Sequence, residues 1–419
     1  MQNNFILKNK VFILAVLIGL MTGLIGIAFK FILLEGYQWI GQHDSRPMIY
    51  VILPFTMVLI LAPLRHYALS KDNQGFGVSQ VMYEIKFIKT RMMNPTSVVY
   101  KIVGTIVTLL SGFSVGIHGP ITHIGGAVGS NMAHIFKMTD DETRVLIGCG
   151  VAGCLASAFH APIFATLFVV EVIFKKRFFD MMGTILLSGF SGYFIAHLIN
   201  PTPYLEISAV LNAFDLKYTL HFIILGLIMG TVAIVYVSTL EKTVDIFNHF
   251  IKNRFIKAAL GATGFSIFYY LVGKNFTYGI NLQELITRDY SQSRWFLMAL
   301  TIIILTAITM ASGGMGGLFS PGLYIGFSMG IGISSSDLMG FQKPVSLGLV
   351  AMAAMFSGFA HAPLTAAFMV IEFTGQYQLI YPALITTLSA SFFSEYILKE
   401  SIYHNNLNRL IQEHDKYLI

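Results

Sequence analysis

Two short stretches carry the residues that could do chemistry: Gly116-Ile117-His118-Gly119-Pro120 and Gly317-Leu318-Phe319-Ser320-Pro321. Each reads as a helix start set inside an apolar region. Proline is tolerated in a first helical turn, where its missing N–H costs nothing. Glycine lets the backbone before it turn sharply and approach a ligand closely. A helix N-terminus offers unpaired N–H groups and about half a positive charge. Two such ends meeting at mid-membrane would hold a small anion on backbone amides, and neither stretch contains a lysine or arginine. A third stretch, Gly75-Phe76-Gly77-Val78-Ser79-Gln80, also opens an apolar segment, but on its own could be any loop.

The elements around these stretches belong in a bilayer. The chain has 419 residues and a mass of 46.4 kDa; it is 55% hydrophobic and 11% charged, with a mean hydropathy of +0.69. Soluble globular proteins are about 25% charged. Here 27 Lys+Arg and 21 Asp+Glu cannot supply a polar skin. A soluble enzyme, a nucleic-acid binder and a disordered chain are excluded, leaving an all-α polytopic membrane protein. The net charge of +6 comes from short basic clusters between apolar runs, where topology signals sit. Val11–Leu34 is longer than a secretory leader and reads as the first membrane helix, retained. Further long runs are Met48–Leu64, Ser97–Phe113, Phe178–Leu198, His221–Leu240, Ala258–Val272, Trp295–Ala311 and Leu379–Leu398. Gly112–Phe136, Val145–Phe174, Gly313–Ser334 and Val345–Phe373 are broken by glycine and proline. Such breaks belong inside the protein or along a hydrated path, because lipid offers freed backbone groups no partner.

The broken stretches repeat. At an offset of 201, Ser111, Gly112, Gly116, Pro120, Ile124, Gly125 and Gly129 fall on identical residues, as do His160-Ala161-Pro162 on His361-Ala362-Pro363 and Glu171 on Glu372. Gly19-Leu20 and Gly23 are echoed by Gly226-Leu227 and Gly230. The chain is thus expected to be one transmembrane domain, 1–419, with halves of about 10–200 and 216–400 joined by Asn200–Leu216. Lys175-Lys176-Arg177 follows the first copy, while Gly375-Gln376-Tyr377-Gln378 follows the second. By the positive-inside rule the copies end on opposite sides, which predicts an inverted repeat of the kind found in transport proteins.

In order and separation, the three glycine-rich stretches resemble the selectivity motifs of the CLC chloride channel and transporter family. Ala362-Pro363 through Pro382 and Ser401-Ile402-Tyr403 resemble its late helices, so the likeness covers essentially the whole chain. It implies two inverted halves with broken helices of uneven length, and a homodimer with one pore per subunit. It leaves no room for a cytoplasmic regulatory domain after Tyr403. It implies that the amides of Leu318 and Phe319, with the Tyr403 hydroxyl, line a central anion site. Ile117, His118 and Gly119 would line an external one. Phe76, beside Gly77, stands where the family has an anion-coordinating serine, and Ser79 where it has a proline. His118 takes the place of the gating glutamate, and Val172, next to Glu171, that of the inner proton-accepting glutamate.

The remaining candidates read as structural. His118, His123 and His134 give no metal site, since zinc needs three or four convergent ligands. His160 and His361 read as backbone-satisfying, and Glu171 and Glu372 as carboxylates that bond helix ends, with Glu171 also a candidate for an inner proton path. Cys149 and Cys154 read as small buried residues and the 20 methionines as core filler. No catalytic set such as H-E-x-x-H is present, so no enzyme and no cofactor are expected. The partners expected are a small anion, the bilayer and a second copy of the chain, in a prokaryotic inner or plasma membrane. With both carboxylates missing, the expectation is passive conduction of chloride or a similar anion, rising as pH falls through the titration of His118. The alternative is proton-coupled exchange with His118 and Glu171 in place of the usual carboxylates.

Overall fold

A computed structural model describes residues 2–42, 48–63, 77–87, 93–175, 179–202, 204–207, 218–272, 282–334 and 344–415. Regular structure among these residues is helical. The first half holds α1 (Gln2–Gln42), the broken stretch Met48–Leu61, α2 (Val78–Lys86), α3 (Pro95–Leu110), α4 (His118–Ile135), α5 (Asp140–Phe159), α6 (Pro162–Phe168) and α7 (Met182–Ile199). The second holds α8 (Thr219–Phe250), α9 (Arg254–Val272), α10 (Leu282–Ile286), α11 (Gln292–Ala311), α12 (Phe319–Ser334), α13 (Pro344–Ala360), α14 (Pro363–Thr374), α15 (Ile380–Leu398) and α16 (Ile402–Asp415). Among the described residues, six helices are long and apolar enough to cross a membrane. At 1.5 Å per residue, the 20 residues of α11 match a hydrocarbon core of about 30 Å.

Local chemistry sets the helix ends. Asn94 caps α3 by accepting from the Thr96 amide at 3.0 Å, ahead of Pro95. Thr139 and Glu142 form a reciprocal box at the start of α5, with Asp140 and Asp141 in the first turn. The run Val11–Leu34 continues into its polar flanks, so α1 is longer than the apolar signal alone. Lys10 donates to the Phe136 carbonyl at 2.9 Å, placing the end of α4 on the same side as the N-terminal lysines.

The short, broken helices lie inside the protein. Every residue from Val145 to Phe159 in α5 and from Ser346 to Ala360 in α13 is buried. The α4 and α5 backbones touch: a Cβ on Gly125 or on Gly150 would strike the other residue's carbonyl oxygen. Positions 201 apart share one conformation. His160 and His361 end α5 and α13 with φ of 55°, Ala161 and Ala362 follow at −138° and −136°, and Pro162 and Pro363 open the next helices.

The two halves cap each other. The Glu372 carboxylate accepts from the amides of Ile163 at 2.9 Å and Phe164 at 2.6 Å, the free first turn of α6. Glu171, in a π-helical turn Val169–Ile173, accepts from the amides of Leu364 at 3.3 Å and Thr365 at 2.8 Å, and from the Thr365 hydroxyl at 2.6 Å. The helix-end role expected of both carboxylates holds, with each serving a helix of the opposite half. Of Asn200–Leu216, residues 203 and 208–216 lie outside the described residues. Leu205 is buried and donates to the Phe373 carbonyl at 2.9 Å.

Replacing Glu372 by alanine strands two amides, each costing about 1–3 kcal/mol unpaired. Glu372→Ala should lower the unfolding temperature of the solubilised protein markedly, and Glu372→Gln, which keeps one acceptor oxygen, less. Unchanged melting of the alanine variant would contradict the cap.

Candidate anion-binding site

The starts of α4 and α12 are tied together. Gly116 donates to the Gly317 carbonyl and Gly317 to the Gly116 carbonyl, both at 2.7 Å, in an isolated antiparallel bridge. Beyond it, α4 begins at His118 and α12 at Phe319, which puts Pro120 and Pro321 at each helix's third position. The first amides of a helix have no intrahelical acceptor. Two sets of such donors therefore leave one point, as the motif spacing implies. The third stretch also starts a helix: Gly77, with φ of 87°, precedes α2, and a Cβ there would strike the Gly119 carbonyl. Only glycine lets α2 come this close to α4. Phe76 lies outside the described residues.

His118 is 1% exposed, in a ring of phenylalanines. Its imidazole stacks on Phe319 (4.4 Å between centroids, 22° between planes) and meets Phe168 edge-on at 4.5 Å. Phe159 and Phe164 complete the ring at 6.0 and 6.2 Å. Neither imidazole nitrogen has a hydrogen-bond partner among the described residues. The Tyr403 hydroxyl, buried beyond Phe168 (6.2 Å between ring centroids), has none either. Buried polar atoms are paired in the great majority of cases, and here three without a partner lie on either side of one phenylalanine. Ser79 donates to the Tyr403 carbonyl at 2.8 Å and so pins the start of α2 to α16. Tyr236 donates to the Leu318 carbonyl at 3.2 Å, holding the backbone just ahead of α12. Leu318 and Phe319 are buried. Val172 is buried, and Glu171 is bound at the start of α14 rather than near His118.

A cavity of about 470 Å³ opens against Gly116, Ile117, Ser320 and Pro321. Lys30 is the one charged side chain among its described lining residues. Its ammonium lies 5.2 Å above the ring of Tyr204, which packs on Phe159 at 5.4 Å. The cavity thus leads from Lys30 towards the ring around His118. The motif-based reading missed Lys30 because it sits in α1, far from any glycine break. A further cation, Lys101, is buried and donates to Gln80 of α2. The signal for both was a lysine inside an apolar run.

Residues 64–395 match the family described as voltage gated chloride channel. The chain is 25% identical over 445 residues to the H(+)/Cl(-) exchange transporter ClcA of Salmonella paratyphi A, covering 96% of this chain and 89% of that protein. It is 24% identical over 434 residues to the ClcA of Salmonella arizonae, covering 97% and 89%. Two solved structures share the fold: a slow cyanobacterial Cl-/H+ antiporter (TM-score 0.85, 24% identity, 97% of this chain and 99% of that one), and a CLC-type fluoride/proton antiporter (TM-score 0.82, 21% identity, 94% and 97%).

Removing the Lys30 charge should weaken anion capture from the cavity side by about 1 kcal/mol, or roughly fivefold. Lys30→Gln is expected to raise the half-saturating anion concentration on that side, and Lys30→Arg to restore it. Equal saturation curves for all three proteins would show that the charge plays no part.

Proposed function

The chain belongs to the voltage gated chloride channel family, and on that premise we propose that it exchanges chloride for protons across a membrane, with His118 as the gate. It is a multi-pass membrane protein of the transport type this family represents. The proposal places it in a prokaryotic inner membrane. Relatives matched over nearly their whole length are named proton/chloride exchangers, which supports coupled exchange over the passive conduction that the missing carboxylates suggest.

The carrying observation is the imidazole itself, a titratable group with two unpartnered nitrogens, stacked on the first residue of α12. A neutral ring is at ease among phenylalanines. An imidazolium there needs a counter-charge or water. A protonated ring therefore leaves for the adjoining cavity, and the space it vacates at the two helix starts takes an anion. Once the ring has lost its proton it returns and displaces the anion. Ring and anion compete for one volume, so competition does not require a carboxylate that imitates chloride. The Tyr403 hydroxyl and the amides of Ile117, His118, Gly119, Leu318 and Phe319 supply the donors. Gly77, and Phe76 beside it, shape the approach from α2.

A chloride gradient imposed across proteoliposomes should drive protons against their own gradient, and His118→Ala should abolish that movement. Chloride flux without proton movement in the unaltered protein would instead establish passive conduction, the reading that the buried, non-titrating Val172 favours.

We also propose a homodimer in the membrane. It would form through faces of α6, α7, α14 and α15, where Phe190, Phe194, Phe392 and Tyr396 lie exposed. Crosslinking in bilayers should trap dimers at protein densities too low for chance encounters; monomers at every density would refute this.

A further inference from the structure

The exchange proposed above requires a group that takes up and releases a proton on the inner side, and the inference that follows rests on that reading. Glu171 is poorly placed to be that group. Both of its oxygens are engaged by the first turn of α14, which holds them as acceptors of two amides and a hydroxyl. Val172 has nothing to titrate. Another set of groups gathers on the side marked by the basic residues after the first repeat. Lys175 of that cluster pairs with Glu400 at 3.1 Å, and both side chains are substantially open to solvent, at 53% and 41% exposed. Glu400 lies just ahead of α16, which carries His404 and packs against α13, the helix that His361 closes.

His361 closes α13 at the corner where Leu364 and Thr365 hold Glu171. Its Nε2 is buried and has no hydrogen-bond partner among the described residues. Its repeat equivalent, His160, has the same backbone angle and an unpartnered Nδ1, but its Nε2 lies 2.9 Å from the Asn200 carbonyl. The backbone alone therefore does not explain the inner histidine. His404 follows Tyr403 on α16, and its Nδ1 lies 2.9 Å from the Ser401 hydroxyl. The elements packed on α16 are α2, which carries Tyr83, Glu84 and Lys86, and α13, which has no ionisable side chain before His361. Further along α16, Asn405 bonds Glu241 at 3.2 Å and Arg409 pairs with Asp245 at 3.1 Å, both on α8.

We propose that His361 and His404 form the inner proton site of the exchange, in the role that Glu171 and Val172 cannot fill. A proton from the inner solution binds a ring nitrogen and makes an imidazolium beside Glu400. It then passes to water in the path past Tyr403 and is taken by an unpartnered nitrogen of His118, and the donor ring returns to neutral. Each ring gains and loses one proton, and the reverse sequence carries a proton inward. Because α16 carries both Tyr403 and His404, one helix links the anion donor to the proton site.

The test uses the full chain in proteoliposomes, with chloride and proton movement recorded in the same sample under a chloride gradient. His361→Asn suits the left-handed corner, where asparagine is tolerated, and His404→Gln keeps a partner for Ser401. Each variant is expected to lower the proton-to-chloride ratio by about tenfold or more, the scale at which positioned proton-transfer groups contribute. Glu171→Gln is expected to melt at lower temperature and keep the wild-type ratio. If His361→Asn fails to assemble, His404→Gln decides alone. A wild-type ratio in the histidine variants overturns the inner site and leaves exchange standing, as does loss of the ratio in Glu171→Gln alone. No proton movement in the unaltered protein overturns the exchange reading and this site with it.

Discussion

Two helices that begin in the interior of a membrane protein each leave several amides without an acceptor, and lipid supplies none. The pair of 2.7 Å hydrogen bonds between Gly116 and Gly317 meets that constraint at the centre. It joins the two chain segments just ahead of the helix starts and leaves the next amides free. The cross-caps meet the same constraint towards the two faces, where Glu372 closes α6 and Glu171 closes α14. Neither half can satisfy its own broken helices. Each supplies what the other lacks, so the inverted pairing follows from hydrogen-bond accounting as much as from apolar packing. The donors left open by this arrangement, at α4 and α12, are those proposed to take an anion.

Much of this was legible in the sequence because the repeat register is unbroken. An offset of 201 made Gly116 the equivalent of Gly317, His160 of His361 and Glu171 of Glu372. Equivalence, however, describes each half separately. It does not say that Glu372 reaches across to Ile163 rather than bonding its own helix, because that depends on how the halves dock. Lys30 escaped for a related reason. A lysine in a long apolar helix reads as a membrane-edge residue until the fold brings Tyr204, from the segment after α7, beneath its ammonium. The surroundings of His118 were also hidden, since Phe159, Phe164, Phe168 and Phe319 come from three separate helices. The place of Phe76 lies outside the described residues.

The symmetry is broken where direction must be set. His160 and His361 each keep one ring nitrogen without a partner among the described residues, but the Nε2 that meets the Asn200 carbonyl in His160 is the unpartnered one in His361. Lys30 stands beside one helix start with no charged repeat counterpart: the echo that aligns Gly19 with Gly226 places Val237 there. A symmetric scaffold with identical groups at both mouths would treat its two sides alike. Here the backbone is duplicated, and so are the two histidines, but their hydrogen-bond partners are not.

The aromatic ring around His118 bears on why such a site could couple two ions without a gating carboxylate. A carboxylate in an anion site competes with chloride by charge, and loses when protonated. An imidazole competes by volume. Its neutral form packs between Phe319 and Phe168 with no polar partner to lose, and that form fills the space. The cationic form is the one the phenylalanines reject, because four hydrocarbon rings replace none of the hydration an imidazolium requires. On the proposed reading protonation expels the blocking side chain in both designs, although a carboxyl leaves neutral and an imidazolium leaves as a cation. In the exchange proposed, the imidazolium would enter a cavity already lined by Lys30, arriving beside a like charge and favouring an anion between the two. Vacating the inner space and drawing an anion into the cavity next to it are then consequences of a single proton.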